Sequence, residues 1–216
     1  MTISPFPLAN SAAPVMIQGM KRHLPFFLIL LSAWPAMAHP PQFHAMNGVG
    51  AAQAGFLHPF SGLDHLVVMV AVGLWAVQLG GRALWILPCS FVGSMIVGGI
   101  AGLSGIHLAV VESGILASIV LLGVALGMAW RPSLPVAAAF VGMAGLCHGY
   151  AHGSEMKADL IPALFFAGMV AATALLHGLG LGGGLLLQRR GFMVMTRMLG
   201  FLVLAFAVYD FLCPVA

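Results

Sequence analysis

Charged side chains are too sparse in this sequence for a water-soluble fold. Lys, Arg, Asp and Glu together make up 6% of the residues and 61% are hydrophobic, against roughly 25% charged and 45–50% apolar in a soluble domain. The charges stand between apolar stretches of the length a helix needs to cross the hydrocarbon of a bilayer, about 20 residues. These stretches are apolar on nearly every face, as lipid-embedded helices are. Disorder is excluded by the same numbers, because it requires low hydrophobicity and high charge. A chain of 216 residues then has room for several spans and for no sizeable soluble domain.

Six helices are expected, at about 60–80, 83–102, 111–130, 134–153, 159–182 and 193–213. Upstream, Lys21-Arg22 precedes an apolar run from Leu24 to Trp34 and the small-x-small triplet Ala36-Met37-Ala38. That order of basic, apolar and small residues is the pattern of a cleaved secretory signal peptide, and the run is too short to span comfortably. Met20, just before the basic pair, is a second candidate start. The expected organisation is a leader and signal peptide over 1–38, an extracytoplasmic N-terminal tail over 39–57, and a six-helix transmembrane domain over 58–216. The fold class is therefore an all-α integral membrane protein, with six transmembrane helices after a cleaved signal peptide.

A signal peptide sends the mature N-terminus out of the cytoplasm, which makes the connections after spans one, three and five cytoplasmic. Arg82, Arg131, Arg189 and Arg190 fall there, with Arg197 just inside span six, whereas the opposite connections carry only Lys157. This is the positive-inside bias, and it agrees with the orientation the signal peptide sets. The expected location is the bacterial inner membrane, crossed several times. The sequence pI of about 9.1 rests on so few charges that no nucleic-acid partner follows from it. Homo-oligomerisation is left open.

Glycine recurs at small-xxx-small spacing in Gly98/Gly102, Gly123/Gly127 and Gly180/Gly184, which lets helix backbones approach closely in lipid. Tight packing is the first reading of all three pairs, and a broken helix end or hinge is the alternative for the run Gly178–Gly184. Cys89, Cys147 and Cys213 form no metal-type spacing and are expected as small buried apolar residues.

The histidines carry the functional argument. His39 and His44 lie in the tail, His58 and His65 at the start of span one, His107 before span three, and His148 and His152 at the end of span four. With the orientation above, all of these face the extracytoplasmic side, as do Asp64, Glu112, Glu155, Asp159 and Asp210. Only His177, towards the cytoplasmic end of span five, departs from the pattern. Span one opens His58-Pro59-Phe60-Ser61-Gly62-Leu63-Asp64-His65, and on a continuous helix positions 58 and 65 share one face two turns apart. Asp64 is placed to ligate or orient an imidazole. Span four closes Cys147-His148-Gly149-Tyr150-Ala151-His152-Gly153-Ser154-Glu155. There His148 and His152 sit one turn apart, with Glu155 on the same stripe. The glycines beside each histidine leave room for a partner helix or an ion.

Ionisable groups within the membrane are costly and mark a pathway or site. Imidazoles suit Ni, Cu, Zn and Co, while carboxylates offset a divalent charge. The candidate metal ligands are His58, Asp64, His65, His148, His152 and Glu155. Glu112 is a further contributor, although a carboxylate at a helix start equally serves the helix dipole. Once cleavage follows Ala38, the free amine of His39 and its imidazole form a chelate. Pro40, lacking an N–H, stops that chelate from extending along the backbone, and His44 stands next in line. Two functions fit: a permease for a divalent transition metal, or a membrane-embedded zinc-dependent hydrolase in which a His-x-x-x-His pair activates water. The His-Glu-x-x-His and G-x-S-x-G signatures of hydrolases are absent.

The two motifs H-P-F-S-G-L-D-H and H-G-Y-A-H-G-S-E, the first followed by V-V-M-V-A-V-G-L-W-A, resemble the HupE/UreJ family across nearly the whole mature chain. The resemblance implies a secondary permease for nickel or cobalt, used in hydrogenase or urease maturation. The protein is then no enzyme and needs no prosthetic group, its metal being transported Ni2+ or Co2+. The resemblance also implies His58, Asp64, His65, His148, His152 and Glu155 as functional residues.

Overall fold

Glycines and prolines cut the apolar sequence into helices. The structure, a computed structural model, describes residues 48–106, 108, 110–156 and 160–212. The leader, His39, His44, His107, Lys157, Asp159 and Cys213 lie outside them. Helix α1 spans Gly48–Leu57 and leads into a short 3-10 turn, His58–Phe60. Then follow α2 (Leu63–Leu79), α3 (Ala83–Gly102), α4 (Val110–Gly127), α5 (Leu134–Ser154), α6 (Pro162–Arg189) and α7 (Met193–Leu212). There is no strand among the described residues. Both α5 and α6 carry proline in the first turn, where a missing N–H costs nothing. Between α2 and α3 the chain reverses through Gly80 and Gly81, at φ of 72° and 54°, a region open to glycine without penalty.

Helices α3 to α7 are each long and apolar enough to cross a membrane, and α1 with α2 makes a sixth crossing if the two count as one broken span. The expected helix at 83–102 is matched residue for residue by α3. Three expectations change. First, span one is not one helix: the segments on either side of residues 61–62 are bent by 79°. Pro59 has no N–H to offer, the Ser61 hydroxyl bonds to the His58 carbonyl at 2.6 Å, and Gly62 is extended (φ −118°, ψ 126°). His58 and His65 therefore do not share a helix face. Second, part of the segment read as a tail forms α1, which packs antiparallel on α6. Third, only the packing reading of the glycine run 178–184 remains, and the alternative of an end or hinge falls, because α6 passes through it to Arg189.

Close backbone approach explains the third change. A Cβ on Gly180 would overlap the Val70 carbonyl, and one on Gly184 would meet the Val77 side chain at 3.0 Å. Contact with α2 thus uses the missing side chains, outweighing the weak helix propensity of glycine. The other two expected pairs behave likewise. Gly98 and Gly102 press on α5 at Leu146 and Tyr150, and Gly123 and Gly127 press on α7 at Leu204 and Phe201. From the α5 side, Gly145, Gly149 and Gly153 face the carbonyls of Phe91, Met95 and Gly99. Helices α3 and α5 thus run parallel with their backbones interlocked.

The core between the helices is filled by Met69, Trp75, Leu87, Phe91, Met95, Leu122 and Met169, all fully buried. Outward faces are as apolar as the core, with Trp85 56%, Ile100 64% and Val208 48% exposed, which is tolerable only against lipid. Cys89 is on that outward surface, not in the core as expected. Thiols are apolar enough for lipid contact.

Candidate metal centre

The bend at residues 58–62 creates the site. It swings His58 off the end of α2 and brings its Nε2 to 2.9 Å from His152 Nδ1 on α5. The rings meet edge to face, with centroids 4.6 Å apart. His65, in the first turn of α2, lies 4.5 Å from His152 and 5.3 Å from His148 between ring centroids, and 6.1 Å from His58. The backbones of α2 and α5 pack little against each other, so the imidazoles span the gap. Four histidines from two sequence motifs thus form one cluster. His148 and His152 are 0% and 1% exposed. Asp64 and His65 retain side-chain exposures of 28% and 16%, so the cluster reaches the surface at this pair.

The hydrogen bonds fix which nitrogen faces the cluster. His65 Nδ1 bonds to Asp64 Oδ1 at 2.8 Å. A carboxylate accepts, so Nδ1–H donates, and the neutral ring then has its lone pair on Nε2. His148 Nδ1 lies 2.8 Å from the Ala144 carbonyl oxygen. A carbonyl can only accept, so here too Nδ1 is the donor and Nε2 the lone pair. If His152 Nδ1 donates to His58, its Nε2 is free in the same way. The Nε2 atoms of His65, His148 and His152 are all buried without a hydrogen-bond partner. An imidazole held at one nitrogen by a carboxylate or carbonyl and bare at the other is the arrangement of a metal ligand with its supporting shell.

Among the described residues no three His, Cys, Asp or Glu side chains are already arranged to hold an ion. Imidazoles around one metal at about 2.0–2.1 Å have ring centroids roughly 5 Å apart. The His65 ring stands at 4.5 Å from His152 and 5.3 Å from His148, close to that spacing.

The expected ligands divide accordingly. His58, Asp64, His65, His148 and His152 converge. Glu155 caps α5 and Glu112 stands in the first turn of α4; both are exposed, and neither carboxylate has a hydrogen bond or ion pair among the described residues. Sequence reasoning missed three supporting residues. A Cβ on Gly62 would collide with the Asp64 carboxylate and lie 2.9 Å from His65 Nδ1, so glycine there makes room for the pair. Phe165 and Phe91 wall the cluster, at 5.8 Å from His58 and 5.6 Å from His148. The glycine stands inside the quoted motif, but neither phenylalanine stands near one.

Comparison with known proteins gives the family. The family described as HupE / UreJ protein matches residues 27–209. Protein HupE of Rhizobium leguminosarum bv. viciae is 45% identical over 149 residues, covering 68% of this chain and 78% of its own. No solved structure matches. Long apolar helices and a match that takes in both histidine motifs point the same way: this chain is a multi-pass membrane protein of the HupE/UreJ family.

Proposed function

We propose that this protein is a secondary permease that carries a divalent transition metal, Ni2+ or Co2+, across the bacterial inner membrane into the cytoplasm, for maturation of a hydrogenase or urease. Three buried Nε2 atoms without partners, on His65, His148 and His152, carry the reading. Unsatisfied polar atoms cost free energy in an apolar interior, and a cation that takes all three lone pairs removes that cost. Asp64 offsets part of the charge and holds His65 in the ligating tautomer. His58 hands the ion inward, and Glu112 and Glu155 attract it at the rim. Family membership supports the metal class. The arginine bias and the signal-like leader support an entry face outside the cytoplasm. The tail joins in as a weak collector, in which the amine and imidazole of His39, with His44, pick up metal that the cluster then receives. No prosthetic group and no catalytic step are needed.

Uptake of ⁶³Ni2+ or ⁵⁷Co2+ into proteoliposomes, in competition with unlabelled Ni2+, Co2+, Zn2+ and Mn2+, tests the reading. The expected result is saturable net flux, suppressed most strongly by Ni2+ or Co2+. Binding without net flux would overturn it and favour the zinc-hydrolase alternative.

A further inference from the structure

We propose that His177 is a second ion position, separated from the histidine cluster by the ring of Phe91, which acts as a one-residue gate. The inference rests on the permease reading and adds the route that the ion takes after it leaves the cluster.

His177 lies in the middle of α6, 2% exposed, and neither ring nitrogen has a hydrogen-bond partner. A histidine kept only for packing would be replaced without loss by an apolar residue of similar size, since buried polar atoms left unbonded are unfavourable. Inside a membrane such a residue marks a pathway. No ring contact among the described residues joins His177 to His58, His65, His148 or His152. Phe91, fully buried on α3, touches both sides, at 5.6 Å from His148 and 5.2 Å from His177 between centroids. It meets His177 nearly edge to face, at 82°.

The surroundings suit a transient stop. One helical turn from His177, the hydroxyl of Thr173 faces the Met95 thioether at 3.8 Å, and Met95 is in turn one turn from Phe91. These are weak neutral donors for a borderline-soft cation. One imidazole with such neighbours binds less tightly than the cluster, and a cargo has to be able to leave each site it enters. The wall behind His177 is rigid. A Cβ on Gly73 of α2 would overlap the His177 carbonyl and lie 2.9 Å from the Gly180 Cα, so α2 and α6 are locked there. The movable part is the Phe91 ring, whose rotation opens the step without displacing a helix.

Four measurements on purified full-length protein test this: equilibrium ⁵⁷Co2+ binding in detergent, initial ⁵⁷Co2+ flux into proteoliposomes, efflux of ⁵⁷Co2+ from preloaded proteoliposomes, and thermal unfolding. His177→Leu is expected to unfold at or above the wild-type temperature and to bind Co2+ at the cluster as the wild type does. Its flux should fall about tenfold or more, the scale of a lost metal-supporting group. Phe91→Leu, which keeps most of the volume, is expected to raise efflux of preloaded Co2+ by a larger factor than it weakens equilibrium binding. Wild-type flux in His177→Leu overturns the second position. Unaltered efflux in Phe91→Leu, or binding and stability falling together with flux, overturns the gate. A wild-type protein that moves no metal overturns the permease reading itself, so the two failures are distinguishable.

Discussion

The two ends of the helix bundle treat buried polar groups in opposite ways. At the end where α2, α4 and α6 finish, polar side chains tie off backbone carbonyls. Trp75 Nε1 donates to the Trp130 carbonyl at 3.1 Å, Gln78 Nε2 to Leu126 at 2.9 Å, and Arg197 Nε to Gly127 at 3.0 Å. The last two acceptors lie at the C-terminal end of α4, where carbonyls lack intrahelical partners and a cation meets the negative end of the dipole. At the other end the imidazoles of His65, His148 and His152 are anchored at Nδ1 and left bare at Nε2. One end ties off most of its buried polar atoms, with Gln78 Oε1 left over, and the other leaves a cluster of ring nitrogens bare for something the chain does not supply. Burial of a polar residue alone therefore does not mark a site. The useful distinction is which of its atoms the protein leaves unbonded.

The comparison is tested most severely by removing a bare nitrogen. His148→Ala and His65→Ala are each expected to bring metal uptake in proteoliposomes to background, with far-UV circular dichroism and detergent extraction as for the wild type. Packing comes from the apolar majority and from the glycine contacts, most of which the change leaves in place. Near-normal uptake in both variants would make the histidine end structural as well. A smaller loss is expected one step out. Asp64→Ala frees the His65 ring to rotate and to change tautomer, and should lower uptake by about 10–100-fold, as loss of an outer-shell partner does. Asp64→Asn should fall between, because its amide oxygen still accepts from Nδ1–H while the charge is gone. Equal uptake in all three proteins would mean that Asp64 orients nothing.

Much of this arrangement was legible before any coordinates. Apolar length alone fixed α3, and the i, i+4 spacing of His148 and His152 gave half of the cluster. The break before α2 was not legible. Phe60 and Leu63 continue the apolar run, and Pro59 is compatible with the first turn of a long helix as well as with a short 3-10 turn. A shared helix face predicts that His58 and His65 stand together; in the structure a bend, not a shared face, brings their rings to 6.1 Å. Helix α1 escaped because Gly48, Gly50, Ala51, Ala52, Ala54 and Gly55 give no span-length hydrophobic signal. Its packing depends on a Gly55 contact with the Phe165 carbonyl that only the fold brings together. The tautomers could not be read either, since they follow from the partners of each Nδ1.

If the histidine end extends into the tail, a milder effect is expected there. Changing both His39 and His44 to Ala should lower uptake several-fold at limiting metal and leave it unchanged at saturating metal. A collector alters capture, not the capacity of the later steps. N-terminal sequencing of the mature protein should read His-Pro-Pro-Gln, which tests whether His39 has the free amine the chelate requires. Unchanged uptake at limiting metal, or a retained leader, would confine the site to the helices.

The smallest effect is expected at the tied-off end, and it defines where the contrast stops. Gln78→Leu removes the donor to the Leu126 carbonyl, and polar contacts of this kind between membrane helices contribute about 0.6 kcal/mol on average. The same change deletes Gln78 Oε1, the one side-chain polar atom at this end that is buried without a partner among the described residues, and so relieves a cost of opposite sign. Thr196, whose hydroxyl lies 3.4 Å from Gln78 Nε2, keeps its own bond to the Met193 carbonyl at 2.6 Å and is not left unsatisfied. The two contributions nearly cancel, so unfolding in detergent should shift by less than about 1 kcal/mol, and uptake should match the wild type. A stable Gln78→Leu protein with impaired uptake would break the comparison in an informative way. It would mean that Oε1 is bare for the same reason as the imidazoles, and that the ion's route runs past His177 to Gln78.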